Sequence, residues 1–164
     1  MKSVKPLLLA FLFLAGSVSL AVAQDTAEPA EPVDFELETL EGGTLALTEL
    51  RGQWVVLNYW ATWCAPCRKE IPDLSQLHAR ADHISVVGLA YEETEPEAFI
   101  EFLAEFDPSY PNLLVNVFDP PQPFGAPRAL PTTIVLDPKG VPVKTFVGPV
   151  TGVQIEEFVA EAGG

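Results

Sequence analysis

The rhythm of apolar and polar positions changes along the chain, and each rhythm predicts an element. Met1 to Ala23 carries charge only at Lys2 and Lys5, and PLLLAFLFLAGSVSLAVA then runs without a charged residue. The small-x-small triplet Ala21-Val22-Ala23 closes that run, as expected before a signal-peptidase cut. Residues 1–23 are therefore expected to be a signal peptide. The alternative is an uncleaved anchor, since Pro6 to Ala23 is just long enough to span a bilayer, which needs about 17–25 apolar residues. Residues 24–32, QDTAEPAEP, hold no large apolar side chain and predict a disordered acidic linker. Residues 33–164 remain as one domain with enough chain for a real core.

Inside that domain the period switches between two and three to four. Phe35 and Leu37, then Leu45 and Leu47, alternate around Glu41-Gly42-Gly43, which predicts two short strands about a glycine turn. Trp54 to Trp60 is nearly continuously apolar, as suits a strand buried on both faces. Ile71, Leu74 and Leu77 recur at helical spacing after it, with Pro72 predicting a kink. Ile84–Ala90 reads as a second buried strand. Thr94 is the expected cap of a helix over EPEAFIEFLAEF, whose inward face is Phe99, Phe102, Leu103 and Phe106. A strand is expected from Asn112 to Phe118, then a loop forced by Asp119-Pro-Pro-Gln-Pro123. Thr132–Leu136 and Val141–Val147 flank Asp137-Pro-Lys-Gly140 and predict an antiparallel hairpin. Gln154 to Ala162 is a closing helix capped by Thr151. The order predicts an α/β fold, a mixed sheet with helices on both faces.

Charge narrows the partners. The chain has 23 acidic and 9 basic residues, a net charge of −14. Loss of Lys2 and Lys5 with the leader would leave −16. A nucleic-acid role is excluded, because phosphate contacts need a basic surface.

The chemistry concentrates in WATWCAPCRKEIP, residues 60–72, which holds the only two cysteines, Cys64 and Cys67. Structural zinc needs about four ligands, and His78 and His83 are not spaced to complete a set; both read as solvated surface residues. No cofactor or metal is therefore expected. A static staple would close a ring of only a few residues and remove little freedom from the unfolded chain. Cys64 instead falls where a buried strand ends and a helix begins, where unpaired N–H groups favour a thiolate. Cys67, one turn in, is placed to attack a mixed disulfide formed on Cys64. Position thus favours thiol–disulfide exchange, with Cys64 attacking and Cys67 resolving.

These residues, with Pro72 and ALPTTIVLDPKG, resemble the thioredoxin superfamily, and more closely its exported TlpA/ResA-type disulfide reductases. The resemblance covers about Phe35 to Val159. It implies a thioredoxin-like fold with an N-terminal β-hairpin and a central insertion over Pro111–Arg128. It also implies that Pro131 is a cis-proline beside the cysteines, where a backbone edge can receive a peptide. Thioredoxins carry a buried aspartate where this chain has Asn58, and an amide cannot shuttle that proton. The branch has a glutamate after the next strand, which aligns with Glu93, next to Glu92, and makes Glu93 the candidate acid/base. Trp63 is expected to cover the cysteines as a contact surface, and Pro66 to tune the helix start. The function implied is a periplasmic protein-disulfide reductase in cytochrome c maturation or copper-centre assembly. Its partners would be disulfide-bearing apocytochrome c or copper-site proteins, and a membrane thiol donor of electrons. The alternative is a non-catalytic copper chaperone or assembly scaffold. Copper carriers of this fold use a wider cysteine pair with a distant histidine, and no histidine follows His83 here. A peroxidase of the peroxiredoxin kind ranks lower, since those enzymes lack the Cys-x-x-Cys pair.

Overall fold

The alternating and continuous apolar runs become two sheets in the computed structural model, which describes residues 31–163. The expected signal peptide and residues 24–30 of the linker lie outside the described residues. Strands β1 (Glu36–Glu38) and β2 (Thr44–Ala46) form the antiparallel N-terminal hairpin. The main sheet is built from β3 (Trp54–Trp60), β4 (Ile84–Ala90), β5 (Asn112–Leu114), β6 (Thr132–Leu136) and β7 (Pro142–Val147). Its order is β5-β4-β3-β6-β7. β3 and β4 run parallel with Asn58 opposite Gly88, and β3 and β6 run antiparallel with Asn58 opposite Thr133. Strand β3 is thus central, and its C-terminal end delivers the chain into the cysteine motif.

Side chains of β3 alternate across the sheet, and the two faces are covered differently. Trp54 and Val56 meet Leu74 and Leu77 of α1 (Ala65–Arg80) and Ile155 and Val159 of α3 (Gly152–Glu161). Trp60, on the same face, packs with Phe99 and Phe102 of α2 (Pro96–Leu103), its ring stacked on Phe102 at 5.3 Å. Val55, Leu57 and Tyr59 point the other way, against Val33, Leu47 and Val115, with Phe35 and Phe124 around them. The helical cover expected on both faces is therefore lopsided. Among the described residues the three α-helices share one face, and the other receives a 3-10 turn (Leu47–Leu50), the hairpin and the insertion. Two right-handed parallel crossovers taken in the same direction across a sheet leave both helices on one side, which accounts for α1 and α2.

Four expectations shift on contact with the fold. The cap of α2 is Glu95, not Thr94, because Pro96 takes the first helical position and holds the residue before it extended. That helix also stops early: the chain tightens after Leu103 and turns left-handed at Asp107 (φ 45°). Strand β5 ends at Leu114, and shortly afterwards Asn116 Oδ1 accepts the Phe118 N–H at 3.0 Å, a side-chain turn that bends the chain away. Finally, His78 is half-buried rather than solvated. β5 is too short to reach Val86, and His78 Nδ1 accepts that orphaned N–H at 3.1 Å. Burial holds the His78 pKa below its ordinary value, which favours the neutral ring whose nitrogen accepts this N–H. His83 is exposed, and α1 runs through Pro72 to Arg80.

Candidate active site

The strand-to-helix junction forms because the apolar run of β3 ends at Trp60 and Pro66 occupies the first turn of α1, where a missing N–H costs nothing. Cys64 is the N-cap. Its Sγ accepts the Cys67 N–H at 3.3 Å, so a helix-terminal donor points at the sulfur. The two cysteines are joined as a disulfide with Cα atoms 5.3 Å apart. Both are buried, in a cluster with Trp60, Ile71 and Phe99. Trp63, by contrast, stands 67% exposed directly before Cys64.

The Leu130–Pro131 bond is cis, and the Leu130 side chain packs against the cluster that holds both cysteines. Pro131 itself is buried, and its carbonyl accepts the Gly148 N–H at 2.9 Å, anchoring the loop to the strand pair behind it. A second cis bond, Gln122–Pro123, lies within the insertion. Trp63, Tyr91, Glu93 and Leu130 line a groove of about 370 Å³ alongside the cysteine motif.

The two acids of YEET take different places. Glu92 Oε2 accepts from the Thr62 N–H at 2.9 Å and from the Thr62 hydroxyl at 2.7 Å, pinning the loop that presents Trp63. Glu93 is exposed on the groove wall. The structure does not place it on the buried side of the cysteines, where Asn58 lies.

The buried carboxylate is Glu70, three residues after Cys67 and only 4% exposed. Its Oε1 accepts from Asn58 Nδ2 at 2.8 Å, and its Oε2 from the Val150 N–H at 3.2 Å. Burial pushes its pKa up to about 7, against the pull of those two donors. Asn58 is fully buried and its Nδ2 also donates to Thr133 Oγ1 at 3.0 Å. Sequence reasoning missed Glu70 although the signal was present. Cys67, Ile71, Leu74 and Leu77 mark the inward face of α1, and Glu70 is an acid set into that stripe at i+3 from Cys67. Arg68, on the outer side, pairs with Glu105 at 2.5 Å and lies over the Phe102 and Phe106 rings, tying α1 to α2.

Comparison with known proteins follows the same geometry. The profile of the AhpC/TSA family matches residues 29–144. The chain belongs to the AhpC/TSA family. It is 36% identical over 133 residues to the thiol-disulfide oxidoreductase ResA of Halalkalibacterium halodurans, an alignment covering 79% of this chain and 73% of the relative. It superposes on a thiol:disulfide interchange protein of the thioredoxin family from Chlorobium tepidum with a TM-score of 0.71. That match has 26% identity and covers 84% of this chain and 99% of the other. A DsbF homologue from Corynebacterium diphtheriae matches with a TM-score of 0.70 and 29% identity, over 92% of this chain and 98% of its own. The fold is thioredoxin-like, and the chain is a thiol-disulfide oxidoreductase of the ResA and DsbE type.

Proposed function

We propose that the protein is an exported disulfide reductase in which Cys64 attacks and Cys67 resolves. The observation that carries the reading is the N-cap position of Cys64, with the Cys67 N–H aimed at its sulfur. A thiolate at that atom gains a hydrogen bond and the positive end of α1, so Cys64 is the better nucleophile of the pair. In the reduced protein the Cys64 thiolate attacks one sulfur of a client disulfide and expels the other as a thiolate, which takes a proton. Cys67 then loses its proton, attacks Cys64 and releases the client's second thiolate. Two electrons pass to the client and the disulfide moves to this chain.

The resolving step needs a base near Cys67. Glu70, one helical turn away and poised with a pKa of about 7, suits that role better than the exposed Glu93. Asn58 and Pro66 act in support, the first by holding Glu70 and the second by opening the helix at Cys64. The client segment would lie in the groove between Trp63 and Leu130, its backbone meeting the Pro131 edge. Export to the periplasm, a membrane electron donor, and apocytochrome c or copper-site clients are the finer reading; the leader-like sequence of residues 1–23 and the ResA-type relatives support it.

Direction is tested by equilibrating the purified domain with glutathione or dithiothreitol buffers. A potential towards the thioredoxin end of the range, about −270 mV, is the expected result. A value near about −120 mV, typical of strong oxidants, would reverse the assigned direction.

A further inference from the structure

Asn58 carries an oddity that the mechanism above does not use. Its Nδ2 serves two acceptors, Glu70 Oε1 and Thr133 Oγ1, whereas its Oδ1 is buried and accepts from no donor among the described residues. A buried amide oxygen left without a donor is costly, commonly about 1–3 kcal/mol. Both acceptors of Nδ2 can change character. Thr133 is a hydroxyl, able to donate or accept by rotating. Glu70 accepts only while ionised; once protonated, it becomes a donor.

We propose that Asn58 is a positioning residue for the exchange reaction, an amide that turns over as Glu70 gains or loses its proton. This rests on the reading of Glu70 as the proton acceptor. With Glu70 ionised, Nδ2 faces it, as observed. When Glu70 takes the proton released by Cys67, its O–H has no acceptor in that arrangement, because it meets an N–H. Rotating the amide by half a turn presents Oδ1 to the Glu70 O–H and to the Thr133 hydroxyl. The orphaned oxygen is then used and Nδ2 takes its former place, so each state leaves one end of the amide unpaired and the Glu70 proton decides which. No atoms are exchanged beyond the single proton. Asn58 can thus meet either state of a carboxyl on the neighbouring helix.

The position supports a wider consequence. Asn58 sits on β3, Glu70 on α1 one turn past Cys67, and Thr133 on β6 two residues past Pro131. One side chain therefore bridges the resolving-cysteine helix and the strand that follows the cis-proline. The groups facing Glu70 are few. Lys69 and Asp73 of its own helix share its groove, and Asp73 is held by the Gly152 N–H at 2.6 Å. Tyr110 reaches it from the segment before β5, and the loop before α3 contributes the Val150 N–H. Cys67, three residues before it on α1, is held in the disulfide and titrates only in the reduced protein.

The test is an NMR titration of the oxidised, isotopically labelled protein from pH 5 to 9. It follows the Glu70 carboxyl carbon and the Asn58 side-chain amide. Above the Glu70 midpoint, a coupling across the Asn58 Nδ2–H to Glu70 hydrogen bond is expected. Below it, that coupling vanishes and the Asn58 amide protons lose their contacts to the Glu70 side chain, with one shared midpoint. Persistence of the coupling through the titration overturns the inference and leaves the role of Glu70 intact. Absence of any Glu70 titration in this range removes both. Asn58→Asp supplies a second readout where it folds: two facing carboxyls should share a proton and raise the upper midpoint by about one pH unit or more, a tenfold change in proton affinity. An unmoved midpoint would contradict the contact itself.

Discussion

Glu70 is the residue on which stability and chemistry conflict. Its ordinary pKa of 4.5 rises to about 7 because burial penalises the charge more than Asn58 and Val150 repay it. Between those values the folded chain holds a proton that the unfolded chain has released. Stability from this group is therefore present at low pH and falls as pH rises from about 4.5 through 7. At about 1.4 kcal/mol per unit, the cost above pH 7 is on the order of 3 kcal/mol. Glu70→Gln should thus raise stability by about 1–3 kcal/mol at pH 8 and by little at pH 4.5, read from urea unfolding of the oxidised protein. An equal effect at both pH values would contradict the assignment. The same substitution should slow resolution of mixed disulfides, because an amide cannot take the Cys67 proton. Glu93→Gln should leave that step within about twofold, which stopped-flow release of a client thiol would measure.

At the scale of elements, what the sequence revealed depended on how redundant each signal was. Strand β3 and helix α1 were legible because every position agrees, from Trp54 to Trp60 and then Ile71, Leu74 and Leu77. The Cys64 N-cap followed from the same boundary. Glu70 was hidden by its background: among 23 acids, one more in a helix reads as solvated unless its phase is checked against the apolar stripe. The one-sided helical cover was hidden for a different reason, since crossover direction depends on strand order, and local pattern does not specify it. Gly88 shows how closely the elements fit. A Cβ there would overlap the Asn112 side chain, whose Oδ1 receives the Trp60 indole N–H at 3.0 Å. Gly88→Ala is expected to cost about 1–3 kcal/mol and to disturb Trp60 fluorescence. Thr151→Ala removes the capping box of α3 and should cost about 1 kcal/mol by thermal unfolding, without altering exchange rates.

The whole molecule is a compact redox centre in a strongly acidic shell. A net charge of −14 is spread over the chain, and the ion pairs Arg68–Glu105 and Arg80–Glu156 are both solvent-accessible. Self-repulsion should therefore weaken the fold at low ionic strength, and the thermal midpoint should rise as salt increases from about 0.02 to 0.3 M. A falling midpoint would mean that exposed pairs dominate. Within that shell the apolar exceptions are conspicuous. Trp63 is 67% exposed beside the cysteines, and Phe118, within the insertion, is 78% exposed. An acidic surface with an aromatic side chain at its reactive centre suits brief contact with client chains, because repulsion opposes self-association while Trp63 offers a contact surface. The division of labour between the two cysteines can be read by trapping. Cys67→Ser and Cys64→Ser proteins, each reduced and mixed with a disulfide-bearing peptide, are separated without reductant and weighed by mass spectrometry. A stable adduct through Cys64 is expected in Cys67→Ser, and little or none in Cys64→Ser. Equal adducts in both, or an adduct only through Cys67, would contradict it.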